Sequence, residues 1–245
     1  MESTETTALA MTESEKSLFM GRTYGWMGLA LFISAVTAFF TSRSIFSANG
    51  LTTLGKFLFG NGMVGFFVLV ISEIVLVFWL SHSIRKISVQ AATIGFIAYS
   101  VINGITLSSI FIVYRISSIA AAFFGCSAMF LALCFYGTTT KRNLLSFGKY
   151  LMMGLIGIVI ASLAQMVIGF FTKTPLTMLD FLISVATIIV FTGLTAYDAQ
   201  KIIRTAEQAT GSDDYRKVSI LGALELYLDF INLFLALLRL FGKRR

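Results

Sequence analysis

The chain has 245 residues, 57% of them hydrophobic and only 13% charged, where soluble domains run nearer a quarter charged. That excludes an ordinary soluble domain. With 24 Phe, 20 Gly and a single Pro, its runs are apolar all round; this suits helices in lipid and not a β-barrel, whose strands alternate. The formal charge of +7 lies between the apolar runs, on loops facing headgroups and cytosol, and so argues against nucleic acid as a partner.

Taken in chain order, the first stretch, MESTETTALAMTESEKSLF, is acidic and Ser/Thr-rich. It has neither the basic start nor the short apolar core of a cleaved signal peptide. Residues 1–22 are expected to form a flexible cytosolic tail, and residues 23–245 one transmembrane domain. A span needs about twenty apolar residues. Runs of that kind lie at 23–42, 62–82, 89–113, 118–138, 150–171, 179–203 and 219–241. The chain therefore reads as an all-α integral membrane protein of seven transmembrane helices joined by short loops.

Orientation follows from Lys and Arg. The N-tail and even-numbered loops carry Lys16, Arg22, Arg85, Lys86, Lys141, Arg142, Lys149, Lys201, Arg204, Arg216 and Lys217. The opposite loops carry Arg43, Lys56, Arg115 and Lys173. The N-terminus is expected in the cytoplasm, and the compact chain suggests a bacterial cytoplasmic membrane. The last segment breaks the rule, since a full crossing puts Arg239, Lys243, Arg244 and Arg245 outside. It either crosses, the preferred reading, or re-enters.

Cys126 and Cys134 fall in one run; on a helix they would stand about 12 Å apart by rise alone, too far for a disulfide. With His82 the one histidine, a Cys/His zinc site is not expected either.

Ionisable residues inside spans mark pathways. Here they are Glu73 on the second span, Asp180 and Asp198 on the sixth, and Glu225 and Asp229 on the seventh. At 100° per residue, Glu225, Asp229, Asn232 and Arg239 share a narrow stripe. Asp180, Ser184, Thr187, Thr195 and Asp198 make a second, and Tyr99, Asn103 and Thr106 a third on the third span. Three such stripes would line a cavity or polar seam, with Gln165 adding to it from the fifth. Counted along their helices, Asp198 and Asp229 reach similar depth and can pair, and Tyr197 and Asn232 flank and would orient them. Glu73 either belongs to the ion path or simply bonds to Asn103 or a backbone carbonyl.

Two carboxylates 4 Å apart repel by about 4 kcal/mol at an effective dielectric near 20, so a pair at this depth shares one proton. Losing it leaves two negative charges that must separate or take up a cation. Calcium, a hard ion that prefers carboxylate oxygens, suits Asp198 and Asp229 as a transient metal site.

GLTAYDAQKI at 193–202, LELYLDFINLFLALLRLFG at 224–242 and NGITLSSIF at 103–111 resemble the Bax inhibitor-1 family, including its bacterial YccA- and YetJ-like members. The likeness covers nearly the whole chain after the N-tail. It implies seven helices with the last in the centre, wrapped by the other six. It also implies a calcium leak controlled by pH through an aspartate pair, which motif matching places at Asp198 and Asp229. The family's acidic residue on the second span matches Glu73. A basic latch near that span's cytoplasmic end falls on Arg85 or Lys86, or on Ser81 or His82 under another alignment, with Arg85 preferred because its side chain can fork onto a carboxylate.

No other cofactor is expected: no G-x-x-x-x-G-K-[ST] loop is present, and no soluble domain to hold a nucleotide. An enzyme fits poorly, because a di-aspartyl intramembrane protease needs a glycine-x-glycine-aspartate motif that LYLDF lacks. The alternative function is regulation, by binding another membrane protein such as a quality-control protease or a stress factor.

Overall fold

A computed structural model describes residues 11–47, 50–60, 64–84, 86–172, 177–209 and 211–245. Among them lie eight α-helices: α1 (Glu13–Ser44), α2 (Thr53–Phe59), α3 (Val64–Ser83), α4 (Val89–Val113), α5 (Ile116–Thr139), α6 (Gly148–Thr172), α7 (Thr177–Glu207) and α8 (Ser212–Phe241). All but α2 are long and apolar enough to cross a bilayer, which gives the seven spans expected.

The spans differ from expectation chiefly at their ends. The first begins at Glu13, so residues 13–22 are helix where composition suggests a tail. The reason is a capping box. Glu15 N–H donates to Thr12 Oγ1 at 3.3 Å, and Thr12 N–H donates back to the Glu15 carboxylate at 2.8 Å. Between α1 and α3 the chain is not a plain loop: a small antiparallel ribbon, β1 (Phe46–Ser47) with β2 (Gly50–Leu51), leads into α2, which Thr52 caps through Gly55 N–H.

The seven crossings alternate, so one face of the bundle holds the starts of α1, α4, α6 and α8 with the ends of α3, α5 and α7. We call it the near face and the other the far face. α8 is one unbroken helix of 30 residues, about 45 Å at 1.5 Å per residue. Its end pairs with the turn joining α4 to α5: Arg115 N–H donates to Lys243 O at 3.1 Å and Arg245 N–H to Val113 O at 3.0 Å. The last segment therefore crosses fully and does not re-enter.

α8 is also the core. Two thirds of its apolar stretch is buried, against 39% or less for any other span, and Leu224, Leu226, Tyr227, Leu233 and Leu238 are shut off from the surface. α1, α4, α5 and α7 pack along it, with α3 laid against α4 and α6 against α7. This order leaves nothing buried in the apolar stretch of α6, while Phe78, Phe124 and Phe135 point outward, as a lipid-facing surface requires.

Helices approach most closely where a side chain is missing. A Cβ added at Gly104 would stand 2.7 Å from Ser34 O, and one at Gly137 would overlap Ala196 O. The first contact joins α4 to α1, the second α5 to α7, two residues from Asp198. Small residues at such crossings let backbones meet in lipid, where no water is available to drive the packing. Both cysteines are free and buried.

Candidate functional site

The polar stripes read from the sequence do not converge on one cavity. They divide into two systems on opposite sides of α8, because Asp229 and Tyr227 are two residues apart and point about 200° away from each other.

The first system lies between α7 and α8. Asp198 and Lys201 are one turn apart on α7, Glu225 and Asp229 one turn apart on α8, and the antiparallel helices bring the two pairs together. Lys201 Nζ lies 2.7 Å from Glu225 Oε1 and 3.6 Å from Asp198 Oδ1. One turn deeper, the carboxyls of Asp198 and Asp229 are within hydrogen-bonding reach of each other. Asp198 is 9% exposed and Asp229 4%, while the Lys201 side chain is 39% exposed. The site is thus a ladder, with an open rung of lysine and glutamate towards the near face and a closed rung of two aspartates behind it.

One atom stands out. Asp229 Oδ2 is buried with no hydrogen-bond partner, the one buried side-chain nitrogen or oxygen so placed among the described residues. A bare carboxylate oxygen in that position would cost several kcal/mol, on the order of the desolvation penalty of a buried charge. A proton held between Asp198 and Asp229 removes that cost. Among the described residues no three His, Cys, Asp or Glu side chains gather as a metal cage. In this arrangement the cation beside the acids is the Lys201 ammonium.

The second system lies between α8 and the opposite helices. Asn103 Nδ2 and Thr106 Oγ1, both on α4, donate to the two oxygens of Glu73 on α3 at 3.1 and 2.6 Å. Tyr227 O–H donates to Asn103 Oδ1 at 2.8 Å and meets Ser34 Oγ on α1 at 2.7 Å. Ser34 in turn donates to Ser100 O at 2.7 Å. The chain from Glu73 to Ser34 ties α3, α4, α8 and α1 together, and the Tyr227 ring is wedged edge-on against Phe96 and Tyr99. Glu73 is bonded to Asn103, one of the two contacts that the plainer reading of it allows.

The remaining candidates fall elsewhere. Tyr197 does not reach the aspartates; its ring packs where a side chain at Gly148 would sit, against the start of α6. Asn232 Nδ2 donates at 2.8 Å to Leu228 O on its own helix. Ser184, Thr187 and Thr195 likewise donate to carbonyls one turn back on α7, which satisfies them without lining a channel. Gln165 reaches Asp180 at 2.5 Å, and Asp180, Ser184 and Arg239 border a recess of about 320 Å³ on the far face. Arg85, the expected latch, lies outside the described residues, and His82 is exposed at the end of α3.

Three residues of these systems are not evident as site residues from sequence. Lys201 looks like a loop charge, although its spacing of three from Asp198 puts it on the same face. Tyr227 and Ser34 look like core and give no signal of their own. Gln200, next to Lys201, accepts from Leu144 N–H and donates to Arg142 O, which pins the α5–α6 connection to α7.

Asn103, Asp198, Tyr227 and Asp229 lie in the segments that resemble the family. A sequence profile for the family described as "Inhibitor of apoptosis-promoting Bax1" matches residues 16–245. The chain belongs to the Bax inhibitor family. It is similar to the inner membrane protein YbhL of Escherichia coli K12, 46% identical over 93% of this chain and 92% of the relative. An uncharacterised protein of Borreliella burgdorferi is 40% identical over 94% of both chains. One of Rickettsia prowazekii is 37% identical over 93% of this chain and 90% of its own. The matches run nearly end to end, so this family member carries all seven spans together.

Proposed function

We propose that this protein is a passive calcium leak of a bacterial inner membrane, held shut by one proton shared between Asp198 and Asp229. Its near face is then the cytoplasmic one, in keeping with the excess of Lys and Arg there and with the inner-membrane location of the Escherichia coli relative. The observation that carries the proposal is Asp229 Oδ2, buried, without a donor, and beside a second carboxyl.

The mechanism follows from charge. With the proton present, the inner rung carries one negative charge, and Lys201 balances the acids from the outer rung. When the proton leaves, Asp198 and Asp229 repel each other by about 4 kcal/mol at 4 Å and an effective dielectric near 20. The rung must part or bind a cation, and calcium satisfies carboxylate oxygens best. Conduction should therefore rise as pH rises through the range in which the shared proton is lost. No energy-coupling part is needed, since the ion runs down its own gradient, and no bond of a substrate is broken.

The test is calcium flux into liposomes holding the purified protein, at several pH values, for wild type, Asp198→Asn and Asp229→Asn. Flux that climbs with pH in wild type and becomes blind to pH in both variants is the expected result. Equal, pH-blind flux in all three would reduce the pair to a structural clasp. No flux in any would sink the leak and leave binding to another membrane protein as the function to pursue.

A further inference from the structure

The buried aspartates need a route to water. The ladder's open rung faces the cytoplasm, yet Lys201 and Glu225 close it with an ion pair of 2.7 Å. A recess lies instead to one side, between α1, α5 and α7. It has a volume of about 590 Å³ and is bordered by Glu13, Lys16, Gly21, Tyr24, Cys134 and Ile203. We propose that this side groove is the cytoplasmic entry by which water and cations reach Asp198 and Asp229, with Tyr24 and Cys134 as its inner gate. The inference rests on the leak proposed above and adds its path.

Three observations carry it. At its inner end, Tyr24 on α1 and Cys134 on α5 line the groove together. Cys134 is also within electrostatic reach of both Asp229 and Asp198, so the carboxyl pair lies behind this inner wall of the groove. The α5–α7 crossing at Gly137 and Ala196, one turn from Cys134 and two residues from Asp198, fixes that neighbourhood.

At its mouth the charge suits a cation. Lys16 Nζ is 3.2 Å from Glu13 Oε1 and 3.3 Å from Glu207 Oε1, so two carboxylates hold one ammonium and leave a net negative charge. That leftover charge makes the mouth a local focus for cations among otherwise basic cytoplasmic loops. Thr138 and Thr139 at the end of α5 supply further oxygens beside it.

The third observation is room. A Cβ at Gly21, on the groove wall, would meet no atom within 4 Å, so a large side chain can be placed there without forcing helices apart. Gly157 on α6 is equally open but lies away from the groove, and serves as control.

The experiment has two arms. In liposomes, calcium flux through Gly21→Trp is compared with Gly157→Trp and wild type at a pH where wild type conducts. Filling the groove should cut flux roughly tenfold while the control conducts as wild type, as expected of a plugged constriction. Wild-type flux through Gly21→Trp would overturn the groove and leave the leak standing. In the second arm, Cys126→Ala leaves Cys134 the only thiol, and its reaction with a positively charged methanethiosulfonate is timed with Tyr24 intact and in Tyr24→Ala. A water-filled groove gated by Tyr24 predicts reaction on the order of tenfold faster once the ring is gone. Equal slow rates would mean that lipid or packed side chains fill the space, and would overturn the inference whether or not the protein conducts.

Discussion

The crossing of α5 and α7 gives the sharpest quantitative test of the fold around the site. Gly137 meets Ala196 O so closely that an added Cβ would overlap it, where ordinary contact begins at 3.4 Å. Gly137→Ala must therefore move the two backbones apart by about 1 Å, because a helix carbonyl cannot turn aside as a side chain can. Forced overpacking of this kind costs about 1–3 kcal/mol. For a chain of this size each kcal/mol lowers Tm by roughly 2–4 °C, so a fall of several degrees is expected. Thermal unfolding in detergent measures it, with Gly157→Ala as the comparison, since no atom lies within 4 Å of a Cβ there. Separation at this crossing would also loosen α5 against Asp198, so the variant should conduct at a pH where wild type stays shut. A Gly137→Ala protein as stable as Gly157→Ala, and shut over the same pH range, would refute the account of that contact.

Other outcomes follow from the two polar systems. Tyr227→Phe removes the hydroxyl between Asn103 and Ser34 and leaves buried partners unsatisfied, at a cost of about 1–3 kcal/mol measured by thermal unfolding. Lys201→Met removes the ammonium beside Asp198 and Glu225, so the proton shared by Asp198 and Asp229 should leave at higher pH. The rise of flux should then move upward by on the order of one pH unit, a shift kept small because Lys201 is 39% exposed and partly screened. Lys16→Ala should alter stability by under about 1 kcal/mol, as a partly exposed ion pair does, while raising calcium flux at low ionic strength by leaving Glu13 and Glu207 uncompensated at the groove mouth.

Much of this protein is written in one dimension. Seven apolar runs give seven crossing helices, because in a bilayer each span must satisfy its own backbone and can do so only as a helix. Positions within a helix are equally legible: Glu225 and Asp229, one turn apart, had to share a face wherever α8 ended up. Even the early start of α1 is readable in the Thr12–Glu15 box, a signal overshadowed by the polar look of its surroundings.

What the sequence could not decide is which face meets which neighbour. Periodicity gives an angle around one axis and says nothing of the rotation of the next helix. The stripe of Tyr99, Asn103 and Thr106 is expected from its spacing to join the aspartates, yet α4 turns it to Glu73, and α8 stands between. Tyr197, beside Asp198 in sequence, faces α6, whereas Lys201, four residues after Tyr197, reaches both Asp198 and Glu225. Close approach decides these rotations: Gly104 admits α1, Gly137 admits α7, and each glycine lets only one pair of faces meet. Local composition therefore determined the spans and the acids, and tertiary packing alone chose the partners that a buried charge must have.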